Sequence, residues 1–420
     1  MPKRNFKIFA SIVLWTTAAL MAAVAGFNWL VDPLSVFGSV RIDGFNAEKV
    51  AVGDRRLIAK TYELNRLQPR GLVLGSSRSL ELSAEHPGWK VSPVFNMGFA
   101  GANAYEILRY FEHANALQRL DRAVIALDFF MFNVHETNRP DFDEARLLRL
   151  DGGQSAIRIP RDSLNALFSI DSLWASLQTV TGQPAPGEMA PSETEEVARL
   201  MKDGQRAAFI INEGYYFNTV WFKGRCRQEY VLRYSNERGT QLEAFRRLTA
   251  MAHRLNVDLH LLVNPSHARL FEALRAAGLW EKFEDWKRSA VQINEEEAVR
   301  AGRPPFPFWD FNTVSSIALE PVPAPEDLHS RMAWFVESAH YTAALGDLVL
   351  DRVFDRHDPD RRVPDDFGVR LTSGMIEDHL TATLSALDRY RASHPIDVAE
   401  IREVAERAAT AKHSRCTAPR

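Results

Sequence analysis

Five short apolar segments, separated by stretches with helical periodicity, constrain the fold of this chain more than any other feature. They predict strands over residues 71–75, 94–97, 123–127, 259–263 and 308–311. Amphipathic helices are predicted between them, over residues 105–120 and 241–255. Uniformly apolar strands that alternate with helices are typical of a parallel sheet that is buried on both faces. The sequence therefore predicts a three-layer α/β/α domain.

A long apolar segment lies near the amino terminus. Three basic residues among the first seven precede an uncharged run from Ile8 to Val31, and Asp32-Pro33 follows it. About 20 apolar residues suffice for a helix to span a bilayer. The positive-inside rule then predicts a cytoplasmic amino terminus and a main domain outside the cytoplasm. A cleaved signal peptide is the alternative, because Ala23-Val24-Ala25 has the form of a cleavage site, but the apolar run continues beyond it.

The composition excludes several function classes. The formal charge of -3 over 420 residues offers no basic face of the kind that binds nucleic acid. The two cysteines, Cys226 and Cys416, show no spacing typical of a zinc site or a thiol redox pair, and a disulfide between them stays open. We expect no metal and no cofactor, since nucleoside triphosphates and nicotinamide cofactors are not expected outside the cytoplasm.

The chain is predicted to have four parts. Residues 1–32 form the cytoplasmic end and the anchor, 33–70 a connecting helical segment, 71–355 the α/β domain, and 356–420 a polar helical extension. Within the α/β domain, residues from about 141 to 237 form an insertion. Its apolar residues over 208–217 predict a hairpin beside the site, where it would shape substrate binding.

The candidate nucleophile is a serine on a tight turn. Gly75-Ser76-Ser77 follows the first strand directly, and Glu337 and His340 lie far downstream, three positions apart. A serine hydroxyl needs a base to take its proton, and the base needs an acid to hold its tautomer. We predict Ser77 as nucleophile, His340 as base and Glu337 as acid. The structural alternatives are a helix cap for Ser77 and a solvated carboxylate for Glu337.

Other polar residues follow the remaining strands. Ligands collect at the carboxyl ends of the strands in an open parallel sheet, so the loops there are read together. The N–H groups of Ser77 and Gly101 and the amide of Asn103 are predicted to stabilise an oxyanion, although Gly101 also suits a plain turn. Four further residues are candidate substrate contacts, each with a structural alternative: Arg78, Asp128, Asn133 and His267.

These segments together resemble the blocks of the SGNH/GDSL hydrolase superfamily. Its G-D-S-x-S block is similar to Gly75-Ser76-Ser77-Arg78-Ser79, with serine in the aspartate place, and its second block is similar to Asn96-Met97-Gly98-Phe99-Ala100-Gly101. Its D-x-x-H block is similar to Glu337-Ser338-Ala339-His340, with glutamate in the aspartate place. The third block, G-x-N-D, has no matching asparagine after the third strand, where the chain reads Leu127-Asp128-Phe129.

The resemblance implies a flavodoxin-like fold and an acyl-transfer or hydrolytic activity. The membrane-anchored branch, which includes alginate O-acetyltransferase-like proteins and the D-alanyl transfer protein of lipoteichoic acid, fits better than a secreted esterase. It implies a single-pass protein of the bacterial inner membrane with a periplasmic domain. Its substrate would be a cell-envelope or exported polysaccharide, with an integral-membrane partner supplying the acyl group. The alternatives are a non-catalytic glycan-binding or scaffolding module and a lipid esterase or thioesterase.

Overall fold

The computed structural model describes residues 3–49, 56–151, 158–183, 201–222, 230–233 and 240–417. The helices are α1 (Lys3–Val31), α2 (Arg56–Leu67), α3 (Ala104–Leu117), α4 (Arg158–Phe168), α5 (Ile170–Thr181), α6 (Gln205–Tyr215), α7 (Gln241–Leu255), α8 (Ala268–Ala276), α9 (Trp280–Ala301), α10 (Ala343–Val353), α11 (Ile376–Ser393) and α12 (Pro395–Thr417). The strands are β1 (Gly71–Leu74), β2 (Val94–Asn96), β3 (Arg122–Leu127), β4 (Asp258–Val263), β5 (Phe308–Asp310) and β6 (Val369–Arg370).

The chain forms two compact units. One contains residues 1–67 with 141–196, and the other contains residues 68–140 with 197–420. This division differs from the predicted one, because much of the predicted insertion groups with the amino-terminal segment. The predicted extension after residue 355 belongs to the sheet-bearing unit, since β6 pairs with β5 and α12 packs against α8 and α6.

The amino-terminal unit contains one helix that is long and apolar enough to cross a membrane. Helix α1 ends at Val31, as predicted, because Asp32 adopts a left-handed conformation with φ of 46°. The Asp32 carboxylate then accepts backbone hydrogen bonds from Val36 at 2.8 Å and from Gly38 at 2.8 Å. These bonds fix the direction in which the chain leaves the helix.

The second unit is built on a six-stranded sheet with the order β2-β1-β3-β4-β5-β6. The pairs among β1 to β5 are parallel, and β6 is antiparallel to β5. All five predicted strands are present, and the predicted α/β class is confirmed. Val73, Val124 and Leu262 pack into a core cluster with Leu345 of α10. Alternate residues such as Leu72 are equally buried, so both faces of the sheet are covered.

The predicted hairpin over residues 208–217 is wrong. These residues form the end of α6 and a following π-helical turn, Tyr216–Val220. The buried residues of α6 are Gln205, Ala208, Phe209 and Glu213, which is a helical spacing. Cys226 lies outside the described residues, so the structure does not test the disulfide between Cys226 and Cys416.

Candidate active site

Ser77 lies where β1 turns into a 3₁₀ helix, Ser77–Glu81. Gly75 precedes it, and a Cβ at that position would lie 2.8 Å from the Ala126 carbonyl oxygen, so the close approach of the neighbouring strand requires glycine. Ser76 is the N-cap, and its hydroxyl accepts a hydrogen bond from the Arg78 N–H at 3.2 Å. The cap alternative therefore applies to Ser76, which leaves the partly exposed Ser77 hydroxyl available for chemistry.

Glu337 and His340 lie in a tight loop that an isolated bridge between Phe335 and Tyr341 closes. The Glu337 carboxylate accepts hydrogen bonds from the Ala339 N–H at 2.7 Å and the His340 N–H at 3.0 Å. It also accepts from Nδ1 of the His340 ring. The loop therefore folds the glutamate side chain back onto its own histidine, and the carboxylate is buried rather than solvated.

The turn that carries Ser77 and the loop that carries Glu337 and His340 meet. The Ser77 Oγ atom lies 2.8 Å from Nε2 of His340, across 263 positions of sequence. Since the Nδ1–H group donates a hydrogen bond to Glu337 and keeps its proton, the neutral ring presents Nε2 as an acceptor for the Ser77 hydroxyl. Burial lowers the pKa of His340, but the carboxylate of Glu337 outweighs it, and the net pKa lies above the ordinary histidine value. This arrangement has the geometry of a serine, a base and an orienting acid.

Gly101 has a left-handed backbone, with φ of +66°, and open space where a side chain would stand. The structure gives no hydrogen-bond acceptor for its N–H or for that of Ser77 within the described part of the chain. The adjoining Gly98 allows the two turns to pack closely, because a Cβ there would lie 2.4 Å from the Ser79 Oγ atom. Two unused N–H groups are therefore available on the turns that follow β1 and β2.

Asn103 does not fit the predicted oxyanion role. It is the N-cap of α3, where its side chain accepts from the Glu106 N–H at 2.9 Å in a capping box. Its Nδ2 donates to Oδ1 of Asn138 at 3.0 Å. Both ends of the amide are engaged, and the spacing of Asn103 and Glu106 is the sequence signal that indicates this cap.

Arg78 and Asp128, two of the predicted substrate contacts, form a buried ion pair with each other. Arg78 is 5% exposed, and its guanidinium donates to Asp128, to the Ala339 carbonyl at 2.9 Å and to the Ser266 hydroxyl at 2.8 Å. Burial opposes the charge of Arg78, but Asp128 outweighs it and the net pKa is raised. Through Ala339, the guanidinium holds the loop that carries His340. These residues position the site.

His267 and Asn133 also have structural partners. His267 caps α8: its Nδ1 accepts from the Arg269 N–H at 3.2 Å, and its Nε2 contacts the Glu320 carbonyl at 2.7 Å. Burial lowers the pKa of His267 to about 4, so the ring is neutral at pH 7. The Asn133 oxygen accepts from the backbone of His135 at 3.2 Å. The contacts recorded for these two residues do not include Ser77 or His340.

The sequence prediction gave no catalytic or substrate-binding role to two asparagines that support the site. Asn96 donates to the carbonyls of Ser79 at 2.8 Å and Leu82 at 2.9 Å, and so fastens the turn after Ser77. Asn264 donates to Asp128 at 3.1 Å and accepts from the Tyr341 hydroxyl at 3.0 Å. Both follow or end a strand, which is the signal that could have pointed to them.

The fold and the site define an α/β protein with a serine-histidine-glutamate arrangement beside the carboxyl ends of β1 and β2. Among the residues that the structure describes, no group of three or more His, Cys, Asp or Glu side chains could hold a metal ion. No protein-family model matches the chain, and no curated protein matches it.

Proposed function

We propose that this protein is a membrane-anchored serine acyltransferase or esterase that acts through a covalent acyl-enzyme on Ser77. The observation that carries the proposal is the 2.8 Å contact between Ser77 Oγ and His340 Nε2, with Glu337 on the other ring nitrogen. A general base must lie within about 2.6–3.2 Å of the hydroxyl that it deprotonates. Glu337 holds the ring in the tautomer whose Nε2 can take the serine proton.

In the proposed reaction, His340 Nε2 takes the Ser77 proton while the serine oxygen bonds to the acyl carbon of an ester. The tetrahedral oxyanion accepts hydrogen bonds from the N–H groups of Ser77 and Gly101; loss of one such donor typically costs about 10²–10³ in rate. The intermediate then expels the alcohol, which takes the proton back from His340. Water or a sugar hydroxyl attacks the acyl-enzyme in the reverse sequence and releases Ser77.

The resemblance to the SGNH/GDSL superfamily supports this chemistry. The serine turn follows β1 and Gly101 follows β2, which is the order of the superfamily's blocks. The third-block asparagine is absent, and Asn103 does not replace it. We infer an oxyanion site made of two backbone N–H groups. An envelope polysaccharide as acceptor, an integral-membrane acyl donor and a periplasmic location are parts of the proposal that rest on the resemblance and on α1.

The test is mass spectrometry of the full chain in detergent micelles after exposure to an activated aryl acetate. We expect an acetyl adduct on Ser77 that both Ser77→Ala and His340→Ala abolish. The matched controls are Ser316→Ala and His329→Ala, which change an exposed serine and an exposed histidine and should leave the adduct intact. A folded wild-type protein without an adduct would contradict the proposal and favour a non-catalytic, glycan-binding module.

A further inference from the structure

The helical pair α4 and α5 in the amino-terminal unit exposes an apolar stripe. Ile170 is 85% exposed, Trp174 is 62% exposed and Leu177 is 43% exposed. Their spacing of four and three residues places them on one face of α5. The buried face of α5, which includes Ala175 and Thr179, lies on the opposite side. The side that faces away from the protein is therefore the apolar one, the reverse of an ordinary surface helix in water.

The neighbouring helix α4 continues this surface. Leu164 and Phe168 are also exposed and lie four residues apart, so they share a face of α4. Phe168 and Ile170 flank the corner between the two helices at Ser169, the N-cap of α5. The exposed large apolar side chains of α4 and α5 thus lie at and beside one corner of the helical pair.

This helical pair packs against the end of α1. The Asn28 side chain of α1 donates to the Leu167 carbonyl at 2.9 Å and accepts from the Ser176 hydroxyl at 2.8 Å. Asn28 is fully buried, whereas the side chains of α1 from Asn5 to Ala23 are exposed. The contacts of α4 and α5 with α1 therefore involve its last two turns, and they leave most of its apolar length uncovered.

The length of α1 indicates the depth in a bilayer at which these contacts would lie. Its apolar stretch Asn5–Val31 has 27 residues, which is about 40 Å at ~1.5 Å per residue, against about 30 Å of bilayer hydrocarbon. If α1 spans a bilayer, Asn28 and the exposed Trp29 lie near one headgroup layer. Tryptophan is enriched at that depth. Trp174 is a further exposed tryptophan, and it lies on α5, whose Ser176 bonds Asn28.

We propose that α4 and α5 lie in the membrane interface beside the anchor, with Ile170, Trp174 and Leu177 inserted among the lipids. This rests on the proposed membrane-spanning role of α1. Lipid is the occupant that the observations favour, because the stripe continues the exposed apolar surface of the anchor. An apolar face with an amphipathic tryptophan is what interfacial helices present to a bilayer.

The test uses the full chain in lipid nanodiscs, with Cys226 and Cys416 changed to serine. Single cysteines at Ile170, Trp174 and Leu177 carry an environment-sensitive fluorophore. We expect blue-shifted emission, strong quenching by lipids with spin labels on the acyl chain, and at least a threefold lower quenching by aqueous iodide than at a control label. The control is Val299→Cys on α9, an exposed apolar position outside this unit.

Each outcome decides the proposal. Labels that iodide quenches as strongly as at Val299 would overturn it. Labels that are shielded from iodide but not quenched by spin-labelled lipid would indicate a covering protein, such as a second copy, and would also overturn it. Alkaline extraction of native membranes tests the anchor separately. Release of the full chain would refute the membrane-spanning role of α1. Retention of the chain, together with labels that iodide quenches in the nanodisc experiment, would refute only the interfacial position of α4 and α5.

Discussion

Replacing Asp128 with asparagine tests whether the buried ion pair holds the site together. The Asp128 carboxylate pairs with Arg78, accepts from the Ser76 hydroxyl at 2.6 Å and accepts from Asn264 at 3.1 Å. Asparagine keeps the shape and one acceptor oxygen but removes the charge. The guanidinium of Arg78 would then be a buried cation without a counter-charge.

The expected loss of stability follows from that uncompensated charge. Removing one partner of a buried ion pair costs about 3–5 kcal/mol. Arg78 would keep neutral acceptors, the Ala339 carbonyl and the Ser266 hydroxyl, which place the loss near the lower end, at about 3 kcal/mol. At about 2–4 °C per kcal/mol for a domain of roughly this size, Tm should fall by about 6–12 °C.

Thermal and urea unfolding of the full chain in micelles, followed by near-ultraviolet circular dichroism, measure the change. The control is Asp366→Asn, an exposed carboxylate that bonds Ser316, for which we expect a change within about 0.5 kcal/mol. In a double-mutant cycle, Arg78→Met combined with Asp128→Asn should lose less stability than the sum of the single variants. A loss below about 1 kcal/mol for Asp128→Asn, or strict additivity, would refute the reasoning.

Three further predictions concern the site. The His340 base must be neutral to act and its pKa is raised, so kcat/KM should fall as the pH decreases, with a midpoint above about pH 6.5. In the same pH-rate profile, Glu337→Gln should move that midpoint to lower pH and reduce kcat by about 10²–10⁴-fold. Gly98→Ala would place a Cβ 2.4 Å from Ser79 Oγ, so urea unfolding should show a loss of about 1–3 kcal/mol, and an unchanged stability would contradict the packing argument. Asn103→Ala should lose about 1 kcal/mol as a missing cap, whereas Asn103→Ser should keep both stability and kcat; a kcat loss of 10²-fold in the serine variant would restore the oxyanion role.

The sheet could be predicted because its strands are buried on both faces. Burial of both faces makes a strand uniformly apolar, and that pattern is visible in the sequence without any knowledge of the partners. Strand β6 was not predicted, because Val369-Arg370 has only two residues and is only partly buried. The segment 208–217 was misread because a short apolar run fits a strand and a buried helix equally well.

The serine, the histidine and the glutamate could be predicted as a site because each of the two segments that carry them has a local signal. A glutamate three residues before a histidine reaches it within one loop, and a serine after a glycine at a strand end is exposed by the turn. The roles of Arg78 and His267 could not be assigned in this way. A polar residue at the carboxyl edge of a sheet has the same appearance whether it faces a ligand or a buried carbonyl. The hydrogen-bond partners that determine which of the two applies, such as Ala339 for Arg78, lie up to 261 positions away in the sequence.

Two of the three differences between this chain and the SGNH/GDSL pattern that it resembles involve residues that touch each other; the third is glutamate at position 337 in the aspartate place. Ser76 stands in the aspartate place of the first block, and its hydroxyl bonds Asp128, which stands where the third block is expected. A second carboxylate at position 76 would face Asp128 across the same short contact, and two buried like charges so close are unfavourable. One carboxylate suffices to balance Arg78, and this chain carries it after β3. Ser76 and Asp128 therefore form one buried hydrogen-bonded arrangement beside the Ser77 turn, and it leaves Ser77 in contact with His340.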